Sequence, residues 1–199
     1  MIELVDMAIE TFYNEKELED IGLKQFGRNV KISRKSSIYA PEKVVIGNNV
    51  RIDDFCILSG NINLGSCIHI GAYSALYGQT GITMEDYSGV SARVLVYSIS
   101  DDYSGEFMTN PMIPMDLKQE IEGPIQMDKH SIIGAGSIVL PKVHVGEGGA
   151  VGAMSLVNKS IEPWTVNVGI PSRKIKERSK NILNLERKYL EGVREGRYV

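Results

Sequence analysis

Aliphatic residues return at every sixth position twice in this chain, first through Ile46, Ile52, Leu58, Leu64, Ile70, Leu76 and Ile82. The second series runs through Met127, Ile133, Val139, Val145, Val151 and Val157. A period of six fits neither the 3.6-residue turn of a helix nor an ordinary strand-and-turn unit. It fits a coil whose flat faces each take six residues and point one apolar side chain inward. Thirteen aliphatics in two such registers do not arise by chance in a chain that is 43% hydrophobic. The expected fold is therefore all-β, a parallel β-helix built as a prism of stacked turns.

Neighbouring positions carry the same period. Glycine often follows the inward aliphatic (Gly47, Gly65, Gly71, Gly134, Gly146, Gly152), where a tight corner calls for a backbone conformation closed to side chains. The fourth residue after the aliphatic is small or modestly apolar: Val50, Cys56, Ile62, Ile68 and Ser74, then Ser131, Ser137, Val143, Gly149 and Ser155. Cys56 and Cys67 fall at or beside repeat positions without CxxC spacing, and read as small core or near-core residues with no metal role.

The chain has 199 residues and a formal net charge of −3, the profile of one main globular domain with no affinity for nucleic acid. Its apolar runs are far shorter than a membrane span, and the N-terminus lacks the pattern of a signal peptide. A cytoplasmic location is expected. Residues 1–27 form an N-terminal segment with a helix at Glu15–Ile21, capped by Asn14. Residues 28–171 hold the coil. Around Gly78 to Met84 the register slips by two residues, from Ile82 to Met84, which predicts a small bulge. From 98 to 124 the period vanishes in polar, turn-rich text, and a loop that long is an excursion of the functional kind. Residues 172–199 read as a basic amphipathic C-terminal helix with Ile182, Leu185 and Tyr189 on one side.

The two registers, the excursion and the closing GIPSRKIK resemble the hexapeptide-repeat acyltransferases. That resemblance implies a left-handed β-helix, a hand that the spacing itself does not supply and that departs from the usual right-handed crossover. Within the superfamily, RIDDFCILSG, HIGAYSALYG, SISDDYSGEFMTNP and GAVGAMSLVNKS are similar to enzymes that N-acylate dTDP-4-amino-4,6-dideoxyglucose. The resemblance implies acetyl-CoA or another acyl-CoA as co-substrate, a nucleotide-linked amino sugar as acceptor, and a role in surface polysaccharide (O-antigen) synthesis. It also implies a homotrimer with CoA between adjacent coils.

Many superfamily members carry a histidine base where the excursion leaves the coil, but VYSISDDYSG has none. His130 and His144 lie in regular repeat text and read as structural, while His69, at a coil corner, is a candidate substrate contact. An alcohol acceptor needs its proton removed, and loss of a positioned base costs on the order of 10² to 10⁴ in rate. A neutral amine already offers its lone pair, so the enzyme chiefly aims it and stabilises the oxyanion. Missing histidine therefore favours N-acylation over O-acetylation of a sugar or antibiotic hydroxyl. A non-enzymatic scaffold would have no use for such an excursion.

Asp101, where the coil gives way to the loop, matches the acidic residue that similar enzymes set beside the sugar amine. Its carboxylate can accept a hydrogen bond and support developing positive charge. Asp102 is its rival as a substrate contact, or else a turn carboxylate. Ser91 stacks in the column of Asp53 and Gly71 and is the second catalytic candidate. Tyr73, Tyr77 and Tyr103 are candidate platforms for thymine or sugar. For CoA, the resemblance implies backbone contacts at Ala135 and Ala153 and polar contacts at Asn158, Arg173 and Lys176, to which Lys159 is added. Phosphate recognition at one end of a long groove requires such donors and cations.

Overall fold

The computed structural model describes residues 11–198, so the first ten residues of the expected N-terminal segment lie outside the described residues. The helix Glu15–Ile21 forms as expected, with a reciprocal capping box between Asn14 and Glu17 and a left-handed Gly22 at its end. Three parallel ladders then enclose a single apolar interior. One face stacks Val30–Ile32, Val50–Ile52, His69–Ile70, Gly89–Val90, Ile132–Ile133, Ala150–Val151 and Thr165–Val168. A second takes Ser37–Tyr39, the first halves of Ile57–Leu64 and Ala75–Met84, then Leu95–Tyr97, Ile138–Val139 and Leu156–Val157. The third takes Gln25–Phe26, Val44–Ile46, the second halves of the two long strands, Ile125–Met127 and His144–Val145.

Every aliphatic of the two sixfold series is buried, as are the small residues at the fourth positions. The predicted slip is real. Gly60 pairs with Gly78 but Ile62 pairs with Ile82, so the upper coil carries two more residues at that corner than the lower one.

The glycines that follow the inward aliphatics have a different cause from the one the sequence suggests. Their backbones are not left-handed; the positive φ falls two residues later, on side-chain-bearing residues such as Asn49, Cys67, Tyr73 and Met154. What demands glycine is crowding. A Cβ on Gly71 would lie 2.5 Å from the backbone nitrogen of Ala92, and one on Gly134 would lie 2.5 Å from that of Ala153. Stacked turns touch there, main chain to main chain.

The coil ends differently from the expected passage straight into a helix. Arg173–Glu177 is a strand, antiparallel to Thr165–Val168, and only then does the helix Ile182–Arg194 begin. That helix lies against one column of left-handed corner residues. Tyr189 meets Tyr87 edge-on, and Glu186 pairs with Lys129 at 2.6 Å and with His130 at 2.9 Å. Burial opposes ionisation of Glu186, but hydrogen bonds from Lys129 and His130 outweigh it and hold its pKa below the usual glutamate value. Cys56 is buried and Cys67 is half-buried beside the Tyr189 hydroxyl at 3.8 Å; both are free. No helix among the described residues is long and apolar enough to cross a membrane.

Candidate functional site

The excursion leaves the coil after Ser98 and is braced by an antiparallel pair, Ile99–Asp101 against Glu120–Glu122. It thereby roofs a cleft of about 740 Å³ on the second face of the prism, lined by Tyr77, Tyr97, Asp101, Tyr103, Glu120 and the outward aliphatics Ile138, Leu140 and Leu156. One wall is polar and the other apolar. Tyr77 stacks on Tyr97 with ring centroids 5.1 Å apart. Burial, and then the neighbouring Tyr77, raises the Tyr97 phenol above its ordinary pKa, so it remains a neutral hydroxyl.

Asp101 is half-buried at the rim of this cleft. Its Oδ1 accepts a hydrogen bond from the backbone N–H of Asn110 at 3.3 Å, which ties the carboxylate to the far side of the loop. Asp102 is engaged elsewhere. Its Oδ2 accepts from the Ser104 hydroxyl at 2.6 Å and from the Ser104 N–H at 3.1 Å. The bond from the Ser104 hydroxyl is the main reason its pKa lies below the ordinary aspartate value, and it is absent from the cleft lining. Of the two adjacent carboxylates, only Asp101 faces the space where a ligand fits.

Ser91 sits at the corner between the first and second faces. Its N–H donates to the Ile133 carbonyl at 2.9 Å and its own carbonyl accepts from the Ser74 hydroxyl at 2.9 Å, as the column of Asp53 and Gly71 requires. Its Oγ makes no hydrogen bond within the described residues. Ser91 and His69 both line a smaller cavity of about 310 Å³ with Gly89, His130 and Arg178. His69 is bound to Asp53 through Nε2 at 2.7 Å, and Asp53 also accepts from Arg51 at 2.7 Å. Tyr73 lies in neither cavity; it is exposed, stacked on Phe55 at 4.9 Å. Within one chain, the predicted residues thus fall into two groups on either side of a coil corner: Asp101, Tyr77 and Tyr103, and Ser91 with His69.

Along the Ser91 corner, Ala92, Ala135 and Ala153 follow one another on successive coils, joined by backbone hydrogen bonds from Gly136 to Ala92 at 3.0 Å and from Met154 to Ala135 at 2.8 Å. All three are exposed and form a shallow strip. At its upper end, Asn158 and Lys159 leave the last strand of the second face, while Arg173 and Lys176 come from the terminal antiparallel strand. Lys174 is already held between Glu177 at 2.7 Å and Glu162 at 3.2 Å. Lys159, Arg173 and Lys176 have no carboxylate partner among the described residues. Arg173 donates to the Ser172 carbonyl at 2.8 Å, so its charge, like those of Lys159 and Lys176, is not neutralised by a carboxylate there.

No histidine lines the larger cleft. His130 is buried, stacked on Tyr87 and bonded to Glu186, and His144 is bonded to Asp128 at 2.7 Å. Single replacement of His69, His130 or His144 by Asn or Gln should leave kcat within about tenfold in folded protein, because no general-base contribution is lost. A loss of about a thousandfold in steady-state assays of a well-folded variant would identify a histidine base. No group of three or more His, Cys, Asp or Glu side chains is arranged to hold a metal among the described residues.

Sequence reasoning missed Glu120, Gln79 and Tyr97, which also line the cleft. Glu120 comes from the return limb of the excursion, where no repeat assigns a register; only the alternation of Glu120, Ile121 and Glu122 hinted at a strand.

No protein-family model matches the chain. It is 47% identical over 178 residues, 88% of its own length and 93% of the relative's, to the dTDP-4-amino-4,6-dideoxy-D-glucose acyltransferase of Escherichia coli. Its fold matches AntD, an N-acyltransferase from Bacillus cereus, with a TM-score of 0.91 and 49% identity over 92% of this chain and 100% of that one. That structure contains dTDP-4-amino-4,6-dideoxyglucose and coenzyme A; another AntD structure, TM-score 0.92, contains dTDP and 3-hydroxybutyryl-CoA. AntD structures include forms with a serine replaced and forms with an aspartate ten positions further on replaced. The acetyltransferase domain of PglB from Neisseria gonorrhoeae, at 14% identity and TM-score 0.55, shares the fold alone.

Proposed function

This chain belongs to the dTDP-4-amino-4,6-dideoxyglucose acyltransferases, left-handed β-helix enzymes, and from that premise we propose which of its residues carry the reaction. The enzyme moves an acyl group from acyl-CoA to the C-4 amine of dTDP-4-amino-4,6-dideoxyglucose. The observation that carries the reading is the near full-length identity to the Escherichia coli acyltransferase, taken with a histidine-free cleft that presents Asp101.

Asp101 accepts a hydrogen bond from the sugar amine and supports the positive charge that grows on nitrogen as it attacks the thioester carbonyl. The adduct collapses by breaking the C–S bond, and the departing CoA thiolate has a proton available from the new amide nitrogen. Ser91 donates its unengaged hydroxyl to the carbonyl oxygen or to the sugar. The ten-residue separation of Ser91 and Asp101 equals that of the serine and aspartate replaced in AntD, which supports pairing them in one site. Tyr77 and Tyr103 flank the sugar nucleotide. The pantetheine arm follows Ala135 and Ala153, with Asn158, Lys159, Arg173 and Lys176 at the phosphates.

The active form is a homotrimer. On the second face the outward side chains Ile57, Leu95, Ile138 and Leu156, with the buried Ala75 between the first two, pair in register into one apolar stripe, whereas the third face presents Val45 followed by Asn63, Thr83, Gln126 and His144. An outward sheet face in water alternates toward polar residues, and a contiguous apolar one marks a contact surface. Because the Asp101 cleft opens on that stripe, a neighbouring coil closes it. This arrangement brings the Ser91 group of one subunit toward the Asp101 group of another. The reaction serves surface polysaccharide synthesis in the cytoplasm.

The test is an assay of dTDP-4-amino-4,6-dideoxyglucose with acetyl-CoA and, separately, 3-hydroxybutyryl-CoA, following thiol release and the acylated sugar by mass. Turnover requiring the free 4-amine is expected; acylation of the 4-hydroxy sugar at equal rate would overturn the amine assignment.

A further inference from the structure

Asp101 and Glu120 are direct cross-strand partners in the antiparallel pair that braces the excursion, and both side chains line the same cleft. Side chains so placed have Cβ atoms roughly 5 Å apart, and like charges in that relation are destabilising. The chain retains the arrangement and offsets part of its cost with Lys118, whose Nζ lies 2.8 Å from Glu120 Oε1 and whose side chain is only 5% exposed. The two carboxylates are anchored in parallel ways. Asp101 is held through Oδ1 by the Asn110 N–H, Glu120 through Oε1 by Lys118, and the second oxygen of each has no partner among the described residues. A purely structural ion pair has no need of a second carboxylate beside it in the lining of a ligand-sized cleft.

We propose that Glu120 is a substrate-binding residue that accepts a hydrogen bond from the C-3 hydroxyl of the amino sugar while Asp101 accepts one from the C-4 amine. Ionised carboxylates are acceptors only, so two unengaged carboxylate oxygens side by side call for two donors side by side. On a 4-amino-4,6-dideoxy sugar the polar group vicinal to the amine is the C-3 hydroxyl, since C-5 carries the ring oxygen and a methyl. Those two donors lie within hydrogen-bond reach of each other, as the two carboxylates do across the strand pair. Lys118 fixes the Glu120 side chain, which makes it a positioning residue. The inference rests on the reading that Asp101 holds the amine.

The test compares dTDP-4-amino-4,6-dideoxyglucose with its 3-deoxy counterpart. Wild-type enzyme should lose about 10- to 100-fold in kcat/KM on the 3-deoxy substrate, the range for a hydrogen bond to a charged group. Glu120→Gln should lose a similar factor on the parent sugar but less than about threefold on the 3-deoxy sugar, because the contact is already gone. Lys118→Met should show a smaller loss with the same dependence on the 3-hydroxyl. Wild-type enzyme that accepts both sugars equally, or a Glu120→Gln loss of equal size on both, would overturn the proposal. The first comparison needs no variant to fold. A flat response to Asp101→Asn would instead sink the amine assignment, whatever Glu120→Gln does.

Discussion

Replacing Asp101 by Asn should lower kcat/KM for the amino sugar by on the order of 10² or more, with acyl-CoA binding changed less than about twofold. The substitution preserves size and one acceptor oxygen, so the bond from the Asn110 N–H survives if the amide oxygen takes the place of Oδ1. What disappears is the negative charge opposite the developing ammonium, in a cleft whose remaining wall is aliphatic and screens charge poorly. The CoA strip is assigned to other residues and should not notice. Asp102→Asn should cost less than about threefold, because Asp102 is occupied by Ser104 within its own turn. Steady-state kinetics that reverse this order, or give equal small effects, would make the pair a turn element and move the amine contact elsewhere.

A charge placed on the apolar stripe should have an effect as large. Leu95 points outward from the second face between Ala75 and Ile138, and unlike Ile138 and Leu156 it does not line the cleft. In the proposed trimer, Leu95→Asp would bury an unpaired carboxylate at each of three subunit contacts, at a cost on the order of several kcal/mol per site. Sedimentation should therefore show monomer at micromolar concentration, with unchanged circular dichroism because the coil interior is untouched. Activity should fall with the trimer, by more than about a hundredfold, if the Ser91 and Asp101 groups meet only across a subunit boundary. A wild-type monomer with full activity, or a Leu95→Asp variant that stays trimeric and active, would refute this assembly.

Legible in the residues alone were the prism, a two-residue slip within the stretch from Gly78 to Met84, the excursion, both helices and the position of Asp101 at the loop's start; the ladder then places the extra residues between Gly78 and Ile82. Those features repeat at a fixed period or interrupt it, and periodic burial is written one residue at a time. The remainder comes from contacts between distant segments. That the corner glycines answer to main-chain crowding, and not to a left-handed backbone, depends on the coil above, which no local pattern describes. That Asp102 bonds to its own turn, and that Lys174 is spent on Glu162 and Glu177 while Arg173 and Lys176 have no carboxylate partner among the described residues, depends on side chains far less constrained than the core. Glu120 was hidden for the same reason. Its register against Asp101 is set by a strand pair that closes across the excursion, a contact between aperiodic segments that only the folded chain brings together.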